Sequence, residues 1–206
     1  VSAGRFGFCL RVPIGVIGAI TPFNFPMNLV AHKVAPALAA GNALIVKPAT
    51  KTPLSLLKMA ELLEEAGLPA GALNVVIGSG RVVGNQLVQD DRLAMITFTG
   101  SPAVGRGIKA LAGLKRVTLE LGSNSPTIID ADADLDKAVP RCVVGSFANS
   151  GQVCISVQRI YVHKDIYDNF LSRFVAVTNE LAVGDPMDRR CDIGPMINQE
   201  ELERSV

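Results

Sequence analysis

Residues 16–50 read VIGAITPFNFPMNLVAHKVAPALAAGNALIVKPAT. Two short and almost continuously apolar segments, Val16–Ile20 and Ala43–Lys47, enclose a proline-bounded loop and a longer segment of helical length. Short apolar runs that end at Gly, Pro or polar residues are typical of parallel strands covered on both faces. The stretch therefore predicts a strand–helix–strand unit with a right-handed connection.

The same alternation continues to about residue 122. Further strands are predicted at Leu73–Ile77, Ala94–Thr97 and Val117–Leu121. The clearest helix is Pro53–Ala66, which Thr52 can cap and Gly67 can end. Its apolar residues follow the spacing of one buried face; they are Leu56, Met59, Ala60, Leu63 and Ala66. This pattern predicts an α/β fold with a parallel sheet, in which ligands lie at the carboxyl ends of the strands.

The pattern changes after Leu121, and we predict a domain boundary near Gly122, which gives domains 1–122 and 123–206. The elements predicted beyond it are Thr127–Ile129 (strand), Leu135–Asn149 (helix), Ile160–His163 (strand) and Asp165–Leu181 (helix). The chain has no initiator Met and stops where another helix begins. We therefore expect it to be part of a longer protein.

The composition of the chain argues against several classes of protein. Lys and Arg number 20 against 19 Asp and Glu, so the chain lacks the excess positive charge expected of a nucleic-acid binder. No apolar run approaches the ~20 residues that cross a bilayer, and no signal peptide is visible. The four cysteines form no CxxC pair and only two histidines are present, so no metal site is predicted. Reduced thiols and a cytoplasmic location are expected.

The segment Phe147–Cys154 places a thiol in a tight loop, because Asn-Ser-Gly-Gln makes poor helix or strand. A free thiol ionises near pKa ~8.5, so a nucleophilic cysteine needs a group that activates it. Cys154 is a candidate nucleophile. The alternative is a small buried hydrophobic residue, the usual role of a free cysteine.

Glu120 lies inside the apolar run Val117–Leu121. A carboxylate there is costly unless it lies in water at a strand end or has a function. One interpretation is an exposed edge residue. The other is a general base whose pKa is raised by apolar surroundings.

Asn24 is the one amide side chain in the loop Thr21–Pro26, which two prolines make rigid. A rigid donor that follows a strand end suits an oxyanion hole. The alternative is a turn residue that caps the helix beginning near Pro26.

Several motifs in a fixed order closely resemble the aldehyde dehydrogenase superfamily, from about Val12 to Met196. They are Thr21–Pro26, Lys47-Pro48-Ala49, Phe98-Thr99-Gly100-Ser101, Leu119-Glu120-Leu121-Gly122 and Gly151-Gln152-Val153-Cys154. The interval between Glu120 and Cys154 also fits that family. The resemblance implies a Rossmann-like parallel sheet forming part of a cofactor-binding domain, followed by the first part of a second α/β catalytic domain.

The resemblance also implies the chemistry. Cys154 would attack an aldehyde to give a thiohemiacetal, with Asn24 and the Cys154 backbone N–H holding the oxyanion. Hydride transfer to NAD or NADP would leave a thioester, and Glu120 would activate the water that hydrolyses it. Members that transfer the acyl group to coenzyme A commonly lack this Glu. Acylation of coenzyme A and an inactive fragment that keeps only the fold remain the alternatives.

By the same resemblance, Lys47 reaches the adenosine ribose and Ser101 binds pyrophosphate at a helix N-terminus. The full set of implied cofactor-binding residues is Ile20, Thr21, Pro22, Phe23, Lys47, Thr50, Gly80, Gly84, Phe98, Gly100, Ser101 and Leu121. Gly78-Ser79-Gly80 can also be a plain turn. The implied partners are a small-molecule aldehyde and, for the longer protein, further copies of itself as a homo-oligomer, with neither nucleic acid nor membrane.

Two positions depart from the family pattern. Thr50, followed by Lys51, stands where NAD-specific members often have a Glu that binds the ribose hydroxyls. Loss of that carboxylate and gain of a cation favour a 2′-phosphate, so we expect NADP to be accepted. Gly122-Ser123-Asn124 stands where Gly-Gly-Lys is commoner, as in a subgroup that acts on small or phosphorylated aldehydes.

Overall fold

The computed structural model of the chain describes residues 3–205. Two units are distinguished within it, Val1–Glu120 and Leu121–Val206. The first is built on a five-stranded sheet and the second on a two-stranded one. Together they have the mixed α/β architecture with a parallel sheet that the sequence predicts.

The sheet of the first unit has the strand order β3-β2-β1-β4-β5. Its strands are β1 (Val16–Ile20), β2 (Ala43–Lys47), β3 (Leu73–Val75), β4 (Leu93–Gly100) and β5 (Arg116–Leu121). The pairs β1–β2, β1–β4 and β2–β3 are parallel. Ile20 is in register with Lys47 on one side and with Phe98 on the other. The chain segments that follow these three strands therefore leave the sheet at one edge.

The helices of this unit connect the strands. They are α1 (Asn28–Ala39), α2 (Leu54–Glu65), α3 (Asn85–Gln89) and α4 (Pro102–Leu111), with a π-helical turn at Gly80–Gly84. Gly67 follows the end of α2 at φ 88°, as predicted, because glycine adopts this left-handed conformation without strain. Thr52 does not cap α2. Its hydroxyl donates to the Phe23 carbonyl oxygen at 3.4 Å, and Pro53 occupies the cap position.

The core of the first unit lies between the sheet and the helices. It contains apolar side chains of β1, β2, α1 and α2, of which Ile17, Val34, Leu44 and Leu56 are typical members. The edge strand β5 differs from the predicted pattern, because its residues alternate between exposed and half-buried. An edge strand has a neighbour on one side only, so the expectation that it is covered like the central strands is wrong.

The second unit pairs β6 (Pro126–Ile129) in parallel with β7 (Arg159–Val162). Its helices are α5 (Leu135–Phe147), α6 (Tyr167–Asn179) and α7 (Gln199–Ser205), and a 3-10 turn, Lys164–Ile166, precedes α6. Helices α5 and α6 cover the sheet through a core that includes Ile129, Val143 and Phe170. Phe170 and Phe174 stack with ring centroids 5.7 Å apart. Across residues 3–205, no helix is both long and apolar enough to span a membrane.

Candidate active site

The loop before Cys154 begins where α5 ends. The sequence predicts helix to Asn149, but α5 stops at Phe147 because the chain turns left-handed. Asn149 has φ 51° and Ser150 φ 58°, and Gly151 follows at φ 72°. Asn149 and Ser150 are the two non-glycine residues with positive φ in the described part of the chain. Such residues cost about 1–3 kcal/mol each and persist where the surroundings hold them, often at functional sites.

The two ends of this loop are joined to each other. The Val157 N–H donates to the Gly145 carbonyl oxygen at 2.9 Å, and Ser146 Oγ donates to the Val157 carbonyl oxygen at 3.1 Å. A Cβ on Gly145 would lie 2.7 Å from Val157 Cγ2, so only glycine permits this close approach. Cys154 therefore lies on a short loop whose base is closed by hydrogen bonds.

The four thiols have three kinds of environment. Cys154 and Cys9 are exposed, whereas Cys142 is buried in the core of the second unit, where burial raises the pKa of its thiol. Cys191 is half-buried and its Sγ donates to the Ile193 carbonyl oxygen at 3.2 Å. The interpretation as a buried hydrophobic residue therefore applies to Cys142, and the accessible loop thiol expected of a nucleophile is found at Cys154.

Asn24 lies in the first unit, on the loop that follows β1. It is not a helix cap, because α1 begins at Asn28 with Met27 at the cap position and no side-chain cap bond. The loop is fixed at both sides: the Thr21 N–H donates to the Lys47 carbonyl oxygen at 3.1 Å, and the Phe23 carbonyl oxygen accepts from Thr52. Asn24 is thus held at the sheet edge where the predicted cofactor motifs also lie.

Glu120 is exposed on β5, the surroundings of an edge residue in water. The charged group that interacts with it electrostatically is that of Lys33 of α1, a residue that belongs to none of the predicted motifs. Lys33 is 8% exposed and its Nζ donates to Thr97 Oγ1 at 3.1 Å. Burial lowers the pKa of Lys33 from 10.5 to about 8, and the Glu120 carboxylate partly opposes that shift.

A signal for Lys33 exists in the sequence. It falls at helical spacing among Val30, Val34 and Ala37, which form the buried face of α1. Lysine is almost never fully buried unless it is paired. A lysine on that face is therefore a reason to look for a partner, here Thr97 and Glu120.

Replacement of Lys33 by Met is expected to raise the free energy of unfolding by about 1–2 kcal/mol at pH 7, because a buried ammonium is removed. The folded-state pKa of Lys33, about 8, lies below the unfolded-state value of 10.5. The unfolded chain therefore binds more protons between these values, and wild-type stability rises with pH across that window. The advantage of Lys33→Met should be full below pH 8 and should disappear towards pH 10.5.

Urea unfolding of both proteins at pH 7 and pH 10 measures this difference. Lys58→Met is the matched control, since Lys58 is exposed and pairs only on the surface with Glu61 at 2.9 Å. Its effect should stay within about 0.5 kcal/mol at both pH values. An advantage of Lys33→Met that did not shrink at high pH would contradict the explanation by burial of charge.

A cavity of about 460 Å³ lies beside the predicted cofactor motifs of the first unit. Its walls include Ile20, Gly80 and Gly84, three of the residues predicted to bind the cofactor. The other lining residues are Arg81, Asn85, Val104, Gly107, Ile108 and Leu111. The segment 78–84 is more than a plain turn, because the Ser79 side chain caps the π-helical turn by accepting from the Val82 N–H at 3.2 Å.

The remaining predicted cofactor residues of the first unit lie near strand ends. Lys47 is buried, which lowers its pKa, and its Nζ donates to the Pro48 carbonyl oxygen at 2.8 Å. Thr50 Oγ1 donates to the Gly78 carbonyl oxygen at 3.2 Å. Ser101 is the N-cap of α4 and its Oγ accepts from the Val104 N–H at 3.4 Å.

Phe98 is buried, and a Cβ on Gly100 would lie 2.4 Å from its ring, so position 100 requires glycine. Pro22 and Phe23 are half-buried on the loop after β1. Leu121, the last predicted cofactor residue, belongs to the second unit together with Cys154.

The first unit fits a dinucleotide. The Thr21 hydroxyl is buried at the end of β1 without a hydrogen-bond partner among the described residues, and a ligand oxygen can supply one. A Cβ on Gly80 would point into open space, so the backbone there can be approached closely. The N-terminus of α4, at the positive end of the helix dipole, suits an anion such as pyrophosphate.

The sequence matches the Aldehyde dehydrogenase family over residues 1–206. It is 55% identical over 203 residues to the 3-sulfolactaldehyde dehydrogenase of Priestia aryabhattai. This alignment covers 98% of this chain and 43% of that protein. It is 46% identical over 206 residues to the lactaldehyde dehydrogenase of Methanocaldococcus jannaschii, and that alignment covers 98% of this chain and 44% of the relative. The chain thus spans less than half the length of these relatives.

Solved structures agree. The glyceraldehyde-3-phosphate dehydrogenase GapN of Methanocaldococcus jannaschii, complexed with NADP, superposes with a TM-score of 0.92 at 46% identity, over 95% of this chain and 44% of that one. The NAD-dependent aldehyde dehydrogenase of Sinorhizobium meliloti gives a TM-score of 0.92 at 40% identity, over 93% of this chain and 39% of that one. The sequence match and these structures show that the chain belongs to the aldehyde dehydrogenase family.

Proposed function

We propose that the protein oxidises an aldehyde to a carboxylic acid with NAD or NADP as the hydride acceptor. The observation that carries the proposal is the exposed thiol of Cys154 on a closed, left-handed loop in a chain of this family. A loop that is costly to form and presents a reactive side chain to solvent is the arrangement expected of a nucleophile.

In the proposed reaction, the Cys154 thiolate attacks the aldehyde carbon and the carbonyl oxygen becomes an oxyanion. The Asn24 side-chain amide and the Cys154 backbone N–H donate hydrogen bonds to that oxygen. The bound cofactor supplies the acceptor for the hydride that leaves the former aldehyde carbon. Loss of the hydride leaves a thioester on Cys154. Glu120 then takes a proton from water, whose oxygen attacks the thioester carbon and releases the acid and the thiolate.

The cofactor site is proposed at the carboxyl edge of the sheet in the first unit. Lys47 is assigned to the adenosine ribose and Ser101, at the start of α4, to the pyrophosphate. Gly80 and Gly84 form part of the cavity wall that receives the cofactor. The other assigned residues are Ile20, Thr21, Pro22, Phe23, Thr50, Phe98, Gly100 and Leu121.

We propose a short polar aldehyde as the substrate. The relatives compared above are named for 3-sulfolactaldehyde and lactaldehyde, and GapN for glyceraldehyde 3-phosphate. These names share a small aldehyde with a hydroxyl or anionic substituent. The Gly122-Ser123-Asn124 variant of the family pattern supports the same class. A cytoplasmic location and a homo-oligomer of the full-length protein complete the proposal.

The full-length protein should be assayed by the absorbance of reduced cofactor against lactaldehyde, 3-sulfolactaldehyde, glyceraldehyde 3-phosphate and a large apolar aldehyde as control. Turnover with a free acid as product supports the proposal. Product that forms only with added coenzyme A would favour the acylating alternative. Labelling of Cys154 by a thiol-directed aldehyde analogue without any turnover would favour the inactive alternative.

NADP is expected to be accepted about as well as NAD, or better. Thr50 carries no charge to repel a 2′-phosphate, and the following residue, Lys51, is exposed and cationic. The measurement is kcat/KM for each cofactor at saturating aldehyde, with Thr50→Glu as the variant that should shift preference towards NAD. An NAD efficiency about 100-fold or more above that of NADP would contradict this expectation.

A further inference from the structure

The loop of Cys154 is held by a second segment of the same unit, residues 194–197. Ser150 Oγ donates to the Gly194 carbonyl oxygen at 2.7 Å. The Ile197 N–H donates to Gln152 Oε1 at 2.9 Å. The partners lie 44 and 45 positions apart in the sequence, so these contacts are tertiary rather than part of the local turn.

The segment 194–197 is itself connected to the end of α6. Just before it, the Asp192 and Ile193 N–H groups donate to the Ala182 carbonyl oxygen at 2.8 and 3.0 Å, and the Gly184 N–H donates to the Ile193 carbonyl oxygen at 3.1 Å. Ala182 follows α6, which packs on α5 in the core of the unit. The loop that leaves α5 is therefore held against a segment anchored to the neighbouring helix.

Gln152 connects this anchor to the left-handed part of the loop. Its Nε2 donates to the Asn149 carbonyl oxygen at 3.1 Å, while its Oε1 accepts from Ile197. Its backbone N–H also donates to the Asn149 carbonyl oxygen at 3.1 Å. A side-chain amide has both a donor and an acceptor, so one such group can bond to two segments at once. One side chain two residues before Cys154 thus joins both segments.

We propose that Gln152, together with Ser150, is a positioning residue for Cys154. Its two hydrogen bonds hold residues 149–151 left-handed and so fix the direction in which the thiol and the Cys154 N–H point before an aldehyde arrives. A displacement of about 1 Å at a reacting group can cost about 10²-fold in rate. The catalytic consequence rests on the function proposed above, whereas the hold on the loop is a property of the second unit alone.

The test uses the full-length protein with Gln152→Met, which keeps the side-chain length and removes both hydrogen bonds. We expect kcat to fall about 10- to 100-fold while KM for the cofactor changes less than about twofold. Alkylation of Cys154 by iodoacetamide, followed by peptide mass spectrometry, should slow at least about threefold at neutral pH, because the loop no longer presents the thiolate in one orientation. Cys9 is exposed and serves as the internal reference thiol in the same samples.

Two further variants sharpen the test. Ser150→Gly removes the contact to Gly194 but keeps a residue that adopts the left-handed conformation freely, so it should slow Cys154 alkylation less than Gln152→Met does. Gln158→Met changes an exposed glutamine shortly after the loop and should leave both alkylation and kcat unchanged. If Gln152→Met does not fold, the Cys154 alkylation rate of Ser150→Gly tests the proposal instead. A rate equal to that of the wild type in that variant overturns it.

If Gln152→Met had the kcat and the Cys154 alkylation rate of the wild type, the positioning role would be overturned. This would hold even if the variant had a lower melting temperature, because Gln152 would then contribute to stability alone. The alkylation measurement needs neither aldehyde nor cofactor. Absence of turnover in the wild type would therefore count against the proposed function, while the alkylation rates would still decide the role of Gln152.

Discussion

Cys154→Ala is expected to lower kcat by at least about 10⁴-fold, because no other group in the proposed reaction can form the covalent intermediate. Binding of NAD and NADP, measured by calorimetry, should stay within about twofold of the wild type, since the cofactor residues are assigned mainly to the first unit. A large loss of kcat with intact cofactor binding is the signature of a nucleophile.

Cys9→Ser is the matched control for this variant, because Cys9 is also an exposed free thiol. It should retain full activity and full labelling at Cys154. If Cys154→Ala kept more than a few per cent of wild-type kcat, the thioester mechanism would be wrong. If Cys9→Ser instead abolished activity, the nucleophile would have been assigned to the wrong cysteine.

Glu120→Gln is expected to separate the two halves of the reaction. Formation of the thioester does not use Glu120, so one equivalent of reduced cofactor per active site should still appear rapidly. Steady-state turnover should then fall about 10²- to 10⁴-fold, the range typical of the loss of a general base. Rapid-mixing absorbance measures the first phase, and intact-protein mass spectrometry should detect the acyl group on Cys154.

Glu64→Gln, an exposed glutamate on α2, is the control for the charge change and should behave as the wild type. A Glu120→Gln variant that lost the rapid phase as well as turnover would contradict the assignment, because Glu120 would then act before the thioester. Restoration of turnover by added coenzyme A would indicate that the thioester is intact and that only its attack by water is impaired.

The central strands are predictable because local sequence alone marks where each of them begins and ends. Val16–Ile20 and Ala43–Lys47 are found with the predicted bounds, since each apolar run is sharply bounded by Gly, Pro or polar residues. Strand β4 is longer than predicted, because it runs on through Gly100 although the polar and glycine residues there suggest a loop. The predicted cap at Thr52 is wrong because its hydroxyl donates to the Phe23 carbonyl oxygen, 29 positions away, rather than accepting from the helix that follows.

The candidate site is predictable to the extent that it follows strand ends. Register places the segments after Ile20, Lys47 and Phe98 at one edge, as the parallel sheet requires. For Lys33, the spacing among the apolar residues of α1 points to burial, but a charged residue is normally assigned to the exposed face of a helix, and its partner Thr97 on β4 follows only from tertiary packing. The bonds of Gln152 and Ser150 to residues 194–197 likewise depend on packing that no local pattern encodes.

The left-handed pair Asn149–Ser150 also bears on attempts to diversify this protein by mutagenesis. Combinatorial libraries that randomise the loop would place at both positions mostly residues that disfavour a positive φ, among which the branched valine, isoleucine and threonine are the least tolerated. Most clones would then lose the conformation before any new specificity could be selected. Keeping Ser150 and restricting codon 149 to asparagine, aspartate and glycine allows the left-handed backbone, retains the contact of Ser150 with Gly194 and directs the diversity to exposed neighbours such as Ile155.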